Sequence, residues 1–332
     1  MGELSMAVVV LGSVRSCGTT TSAVALAATW PAGRKVVLVE LDPAGGTLAA
    51  SSGWAAEPSL VSLAAAARRT SDPEAIWAHC QHLPGGAAVL AAPGAAEQAH
   101  SATVMLSGLL GRLSTLDADV LVDAGRLDPT APLPGVAMGA SRLVLCARPR
   151  LSDLHALAAF LDAGPGAGLL DAGRLRLVLV GDGPYRDAEI ADALGVEVLG
   201  RLPWDEGAAE CLATNPASDR RLRLSPLVRA ARSLATVLAA DDVVHAPEAV
   251  ATSGHDEAAR PRRRQGRRLL RPFRVPSIPD SAGADEARGD VGIAAGSAEG
   301  DGSALGTGAL GAGAVANGRL MNGSAPGREA AR

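Results

Sequence analysis

The chain is poor in aromatic residues, in lysine and in closely spaced cysteines. Aromatic residues make up only 2% of its 332 residues, whereas 48% are hydrophobic, so we expect a core built from small aliphatic side chains. The four cysteines form no CxxC pair and no cysteine–histidine cluster. This spacing excludes a zinc site of the usual kind and favours a reduced protein.

The sequence also lacks the patterns of membrane-spanning and secreted proteins. It contains no run of about 18 apolar residues, and no basic N-terminal segment is followed by an apolar stretch and a cleavage site. Its net charge of -4 argues against a surface that binds nucleic acid through bulk positive charge. We therefore expect a cytoplasmic protein, with peripheral contact to the inner face of the membrane left open.

Short apolar runs alternate with alanine- and leucine-rich segments at helical spacing up to about residue 245. The predicted strands are Ala7–Leu11, Val36–Glu40, Ala88–Leu90, Val120–Asp123, Leu143–Ala147, Leu175–Val180 and Val196–Leu199. The predicted helices are Thr20–Trp30, Ser59–Arg69, Pro73–Gln81, Ala95–Leu113, Leu151–Leu161, Asp187–Leu194 and Ser225–Leu238. Strands that are apolar on both faces indicate a parallel sheet covered on both sides. The pattern predicts a doubly wound α/β domain over residues 1–245, with a mainly parallel sheet flanked by helices.

From residue 246 onward the hydrophobic periodicity disappears. Residues 246–332 are rich in Gly, Ala, Ser, Pro and acidic residues, a composition that predicts a disordered tail. Within it, the basic segment Arg260–Arg274 holds eight arginines and no acidic residue. Three interpretations stay open for this segment: contact with an anionic membrane or acidic protein, binding to DNA, or solvation of the tail.

The first predicted strand runs through a loop of small residues into a threonine-rich helix start. Such a loop directs successive backbone N–H groups and a helix N-terminus at one point, which favours an anion there. The Thr20 hydroxyl in the first helical turn could also bind a Mg²⁺ ion that bridges phosphates. An ordinary turn with a helix cap is the alternative.

The segment Val14–Thr21 resembles the phosphate-binding loop of the ParA/MinD family of P-loop NTPases, which reads KGGxGKTT. It keeps the last glycine and the two threonines of that pattern. The resemblance implies that ATP is bound by Arg15, Ser16, Cys17, Gly18, Thr19, Thr20 and Thr21.

The loop departs from the family at both lysines. Thr19 stands where the P-loop lysine belongs and Val14 where the signature lysine belongs, and the only lysine in the chain is Lys35. Arg15 lies one position from the signature site and could replace it in part. Because charge on the phosphates is neutralised largely by that lysine, we expect weak or absent ATP hydrolysis.

Acidic residues at two strand ends extend the resemblance. The end of the second strand is similar to the family's DxDP segment, with Glu40 as its first acid and Asp42 as its second. The match implies that Asp42 orders Mg²⁺ and the attacking water, a catalytic role, and that Asp123 in a Walker B-like strand reaches the metal. Since the carboxyl ends of parallel strands share one crevice, we expect Thr20, Asp42 and Asp123 to meet there and hold Mg²⁺. An Asp-Pro turn and a plain strand-end aspartate are the alternatives.

Later segments also match the family. Leu194–Asp205 resembles its LGxxxLGxIPxD element, which implies that the backbone near Pro203 lines an adenine pocket. Asp182 lies where relatives often carry an Asn-Arg pair against the base, so base selectivity is open. The tryptophans are expected to be packing residues: Trp30, Trp54, Trp77 and Trp204.

The resemblance implies a homodimer that binds ATP and Mg²⁺ and positions chromosomes, plasmids, division septa or surface machines with a protein partner. Our first hypothesis is such a positioning or partitioning protein, with nucleotide bound but little turnover. The alternative is a non-enzymatic scaffold similar to the TadZ/CpaE branch, which localises a pilus or secretion assembly without nucleotide. A metabolic relative is disfavoured, because no glutaminase triad or substrate domain follows. Sequence alone does not choose between the first two.

Overall fold

An eight-stranded sheet forms the centre of the protein. The structure, a computed structural model, describes residues 6–240 except 71, 84–85, 111, 129–135, 138–139, 163–165, 167–172, 215–221 and 223. The strands are β1 (Val8–Ser13), β2 (Val36–Glu40), β3 (Gln81–His82), β4 (Ala88–Leu90), β5 (Asp119–Arg126), β6 (Arg142–Ala147), β7 (Leu175–Val180) and β8 (Glu197–Leu202). Their order is β3-β4-β2-β5-β1-β6-β7-β8, and every described pair is parallel except β3 with β4.

Helices cover both faces of this sheet. The described helices are α1 (Thr19–Ala28), α2 (Leu48–Ser51), α3 (Leu60–Ala66), α4 (Ala96–Met105), α5 (Ser107–Leu110), α6 (Leu151–Asp162), α7 (Asp187–Leu194), α8 (Glu206–Thr214) and α9 (Pro226–Ala240), with 3₁₀ turns at Pro73–His79 and Leu113–Thr115. The mainly parallel, doubly covered sheet predicted from the apolar runs is confirmed.

The core consists of two apolar layers, one on each face of the sheet. Alternate residues of β1 enter different layers: Val8 and Val10 face α3, α4, α6 and α7, whereas Val9 and Leu11 face α1, α8 and α9. Because every residue of β1 is buried, both faces of this central strand need apolar side chains. The small residues of α1 let that helix lie between the sheet and α9.

Several predicted elements differ from the structure. Residues 73–79 form a 3₁₀ turn rather than an α-helix, because Asp72 caps the turn through the Glu74 N–H and Gln81 pairs in β3. The predicted helix Ala95–Leu113 divides at Leu106, whose backbone leaves helical geometry. The prediction missed α2, α8 and β3.

The predicted tail and its basic segment lie outside the described residues. The expectation of disorder over residues 246–332, and every interpretation of Arg260–Arg274, therefore stays a prediction. Within the described part of the chain, no helix has both the length and the apolar character needed to cross a membrane.

A buried aspartate joins three elements at the amino-end edge of the sheet. Asp119 is fully buried at the start of β5 and accepts hydrogen bonds from the Ala7 N–H at 2.9 Å and from Trp30 Nε1 at 2.7 Å. Arg34 completes the site with a close ion pair. A single carboxylate thus anchors the start of β1, the end of α1 and the approach to β2.

Replacing Asp119 with alanine is expected to destabilise the fold by about 3–5 kcal/mol, because it leaves Arg34 and two buried donors without their acceptor. The measurement is the free energy of unfolding in urea. Asp117→Ala is the matched control, since Asp117 forms an exposed ion pair with Lys35 at 3.0 Å, and such pairs contribute about 0–1 kcal/mol. Equal losses in the two variants would contradict the anchoring role of Asp119.

Candidate functional site

The loop between β1 and α1 turns at Gly18. Gly18 has φ 90° and ψ 36°, a left-handed conformation that favours glycine, and a β-carbon there would meet nothing within 4 Å. Its carbonyl accepts hydrogen bonds from both the N–H and the hydroxyl of Ser22, each at 2.9 Å. Helix α1 therefore begins directly after an open turn, with its first N–H groups at the carboxyl-end edge of the sheet.

Thr19, in the position of the family's lysine, turns inward. Its hydroxyl donates to Ser13 Oγ at 2.8 Å, and the residue is buried. It therefore cannot reach into the loop opening as a lysine would. Arg15 and Ser16 are exposed, whereas Cys17 is buried.

Thr20, Asp42 and Asp123 meet beside this loop. Asp123 is paired in register with Leu11 of β1 and Glu40 of β2, and its carbonyl accepts the Leu41 N–H at 2.7 Å. These contacts place Asp42, two residues beyond β2, against Gly125 near the end of β5. The parallel register of β1, β5 and β2 is what brings the three predicted residues together.

The Asp123 carboxyl group is fully buried and incompletely paired. Its Oδ1 accepts the Gly125 N–H at 2.9 Å, but its Oδ2 has no hydrogen-bond partner of normal geometry. Burial raises the pKa of Asp123 to about 6; the Thr20 hydroxyl and the Gly125 N–H lower it, and the charge of Asp42 adds to the increase. A cation at this point would stabilise the ionised carboxyl group.

Asp42 lies directly against Gly125. Its Oδ1 accepts the Ala44 N–H at 2.8 Å. Gly125 has φ +59°, and a β-carbon on it would come within 2.0 Å of Asp42 Oδ2. The close approach of Asp42 to the end of β5 therefore depends on glycine at position 125.

Glu40 has a structural role that the sequence did not reveal. Its carboxylate accepts the N–H groups of Thr47 at 2.7 Å, Leu48 at 3.2 Å and Ala92 at 2.9 Å. Burial raises the pKa of Glu40, and these three hydrogen bonds lower it. Because its oxygens are used on backbone amides, Glu40 holds the segment after Asp42 in place and does not extend the metal site.

The arrangement suits Mg²⁺ that is shared with phosphate. Within the described residues, no group of three or more His, Cys, Asp or Glu side chains could hold a metal by itself. One hydroxyl and two carboxylates remain, including the unpartnered oxygen of Asp123. Since Mg²⁺ is usually held by one or two protein groups together with phosphates and waters, these residues fit the ion.

A small cavity lies beside the loop, on the side of α1. It has a volume of about 100 Å³ and is lined by residues that include Cys17, Gly18, Thr21, Pro203 and Trp204. Pro203 thus lies at the same opening as the first turn of α1, where the sequence predicted a base pocket. Asp182 is exposed on the neighbouring loop.

A larger cavity, of about 570 Å³, lies at the opposite edge of the sheet between Trp30, Trp77 and Lys35. Charged side chains beside this cavity already form ion pairs, Arg34 with Asp119 and Lys35 with Asp117. Ligands of open α/β sheets bind at the carboxyl ends of the strands. We therefore assign the candidate site to the smaller cavity and the adjoining acidic residues.

Solved structures with the same architecture include ParA and MinD proteins. A ParA family ATPase from Chlorobium tepidum TLS superposes with a TM-score of 0.56 and 19% identity, over 70% of this chain and 99% of that one. MinD from Pyrococcus horikoshii OT3 with Mg-ADP gives 0.51 and 17%, over 70% and 96%. This chain has the ParA/MinD fold. McdA from Cyanothece, a variant with ATP bound, gives 0.52 and 15%, over 74% and 99%.

The ParA/MinD fold is established by structure alone. No protein-family model matches the chain, and no curated protein matches it either. At identities below 20%, likeness in structure establishes the fold and leaves the chemistry of each residue to be argued from this chain.

Sequence reasoning missed one charged residue near the site and misjudged one tryptophan. Trp204, expected to be a packing residue, is 52% exposed and donates to Glu206 Oε1 at 3.0 Å. Arg148, directly after β6, has its guanidinium carbon 4.6 Å from the centre of the Trp204 ring. The arginine directly before Pro149 at a strand end was the available signal, but its neighbours in space are distant in sequence.

Replacing Gly125 with alanine is expected to displace the Asp42 carboxylate and to destabilise the fold. Gly33→Ala is the matched control, because Gly33 has φ +91° and open space around it. Both variants carry the backbone strain of about 1 kcal/mol or more, whereas only Gly125→Ala adds the collision. Free energies of unfolding measure the difference. Equal losses in the free energy of unfolding would show that Asp42 does not lie in contact with Gly125.

Replacing Asp123 with asparagine is expected to stabilise the ligand-free protein at pH 7, by up to about 3 kcal/mol. The folded pKa of about 6 lies above the ordinary value of 3.8, so the folded state holds this proton more tightly than the unfolded state. The contribution of Asp123 to stability is therefore full below about pH 4 and is lost as the pH rises to about 6.

The advantage of the asparagine variant should accordingly vanish toward pH 4. Urea unfolding of both proteins between pH 4 and 8, with a chelator present, measures it. A constant difference across this range would mean that Asp123 does not titrate as a buried acid.

Proposed function

We propose that this chain is a nucleotide-binding positioning protein of the ParA/MinD type, which holds ATP and Mg²⁺ and hydrolyses ATP weakly or not at all. The observation that carries the proposal is the meeting of Thr20, Asp42 and Asp123 beside the open turn at Gly18. The unpartnered, buried oxygen of Asp123 gives a reason for a cation to bind there.

The residues divide the work of binding. The backbone of residues 15–21 and the N-terminus of α1 receive the phosphates, as at other helix N-termini. The Thr20 hydroxyl, Asp123 and Asp42 hold Mg²⁺ directly or through its waters, and the ion neutralises phosphate charge when bound. The backbone at Pro203 borders the base.

Weak hydrolysis follows from the side chain at position 19. The Thr19 hydroxyl is bound to Ser13 at 2.8 Å and carries no charge, so position 19 offers no cation to the β- and γ-phosphates. Asp42 remains able to order an attacking water. Without the cation, however, transition-state charge is poorly neutralised, and electrostatic stabilisation supplies most of phosphoryl-transfer catalysis.

The assembly is proposed by likeness to the fold's other members. We expect a homodimer formed around nucleotide, with a protein partner that belongs to a partitioning, positioning, pilus or secretion system. The basic segment Arg260–Arg274 would add reversible contact with an anionic membrane surface or DNA, since each arginine near such a membrane contributes about 1 kcal/mol.

A scaffold that works without nucleotide is the second candidate. The cavity at Pro203 has only about 100 Å³, whereas pockets for small ligands usually have about 300–1,000 Å³. A nucleoside would have to lie largely over the opening instead of inside it. This observation favours a TadZ/CpaE-like scaffold, which binds its partner equally well in the presence and absence of ATP.

Calorimetric titration with ATP and Mg²⁺ is expected to give saturable binding by the wild type. Thr20→Val, which keeps the shape and removes the hydroxyl, should bind at least about tenfold more weakly, because Mg²⁺ loses a ligand. Thr20→Ser is the matched control and should bind as the wild type does. The wild type should release phosphate from ATP no faster than Thr20→Val does.

The same titration separates the two candidate functions. No heat from the wild type would reject the nucleotide clamp and favour the scaffold. Rapid phosphate release by the wild type would contradict the expected effect of the missing lysine.

A further inference from the structure

Arg148 lies at the phosphate-binding loop by strand register. In the β1–β6 pair, Ser13 is opposite Cys146, so Arg148, two residues further, is next to the loop that starts at Val14. Side chains alternate along a strand, and Cys146 belongs to the apolar layer that contains Cys17 and α1. Arg148 therefore extends toward the side of the sheet on which the small cavity opens.

Two contacts locate the guanidinium more closely. It stacks over the ring of Trp204, which lines the cavity together with Cys17 and Gly18. Burial raises the pKa of the Cys17 thiol, and the charge of Arg148 acts to lower it, more strongly than Asp153 acts to raise it. The positive charge of Arg148 is thus within electrostatic reach of the loop.

Arg148 has no anionic partner within the described residues. Four other described arginines have one: Arg34 with Asp119, Arg176 with Glu197, Arg186 with Glu189 and Arg201 with Asp187. The Arg148 Nε–H group is buried and has no hydrogen-bond acceptor. A buried donor without an acceptor is unfavourable, and an oxygen of a bound ligand would satisfy it.

We propose that Arg148 is the phosphate-binding cation of this site and takes the place of the lysine that Thr19 has replaced. Trp204 orients it through the cation–π contact, and its planar guanidinium can meet two phosphate oxygens at once. The charge comes from the residue after β6 instead of from position 19 of the loop. This inference rests on the proposed nucleotide binding.

Titrations with ATP–Mg²⁺, inorganic tripolyphosphate and adenosine test it. Arg148→Gln should weaken ATP and tripolyphosphate binding by about tenfold or more and leave adenosine binding unchanged. Arg148→Lys keeps the charge without the planar fork of the guanidinium. Its affinity for ATP and tripolyphosphate should lie between those of the wild type and Arg148→Gln. Arg150→Gln is the matched control, because Arg150 is exposed and lies two residues from Arg148. This variant should bind ATP and tripolyphosphate as tightly as the wild type does.

Protection of the wild type from an arginine reagent provides a readout that does not depend on a variant's folding. Peptide mapping after phenylglyoxal treatment should show Arg148 protected by saturating tripolyphosphate and Arg150 still modified. Unchanged modification of Arg148 would overturn the inference even if Arg148→Gln fails to fold.

The outcomes distinguish the two proposals. Equal ATP affinity of the wild type and Arg148→Gln overturns the role of Arg148 and leaves the nucleotide function standing. Tripolyphosphate binding that depends on Arg148, without any ATP binding, supports the role of Arg148 and overturns the nucleotide function. Binding of neither by the wild type overturns both.

Discussion

The buried carboxyl group of Asp123 is the constraint on which the rest of the site depends. A carboxylate with an unpartnered oxygen is costly inside a protein, because burial removes its hydration. The sheet nevertheless holds it there, since Asp123 is part of β5 with β1 and β2 in register on either side. Thr20 and Asp42 lie beside it, and a cation at this point would stabilise the ionised carboxyl group. Burial and the orphaned oxygen therefore indicate binding more directly than the loop sequence does.

The site differs from an intact P-loop in where its positive charge comes from. A lysine in the loop would move with the phosphates and neutralise them from beneath. Here the Thr19 hydroxyl is bound to Ser13, and the guanidinium of Arg148 is held over the exposed ring of Trp204. A cation held on that ring can bind a phosphate anion, but it does not lie at the loop position from which a lysine would neutralise the charge that develops in hydrolysis. Binding and turnover can be separated in this way.

Much of the sheet was predictable because its strands are apolar on both faces. The bounds of β2, β4 and β7 and of helix α7 agree with the prediction, and the ends of β1, β5, β6 and β8 differ by one to three residues. Errors concentrate where tertiary contacts override local preference, as at Pro73–His79, where strand pairing of Gln81 shortens the turn. Of the site, Gly18, Thr20, Asp42 and Asp123 were predictable because each stands at the end of a strand or the start of a helix.

The sequence by itself determined the layered fold, the absence of lysine from the loop after β1 and the identity of the acidic residues, because these depend on local periodicity and on residue type. Only the tertiary structure decided which groups are free to act. The Glu40 carboxylate accepts three backbone N–H groups, and the Thr19 hydroxyl donates to Ser13. Arg148 contacts Trp204, which lies 56 positions further along the chain. Such pairings follow from strand order and register, which bring together residues that are distant in sequence and satisfy or leave open their hydrogen bonds.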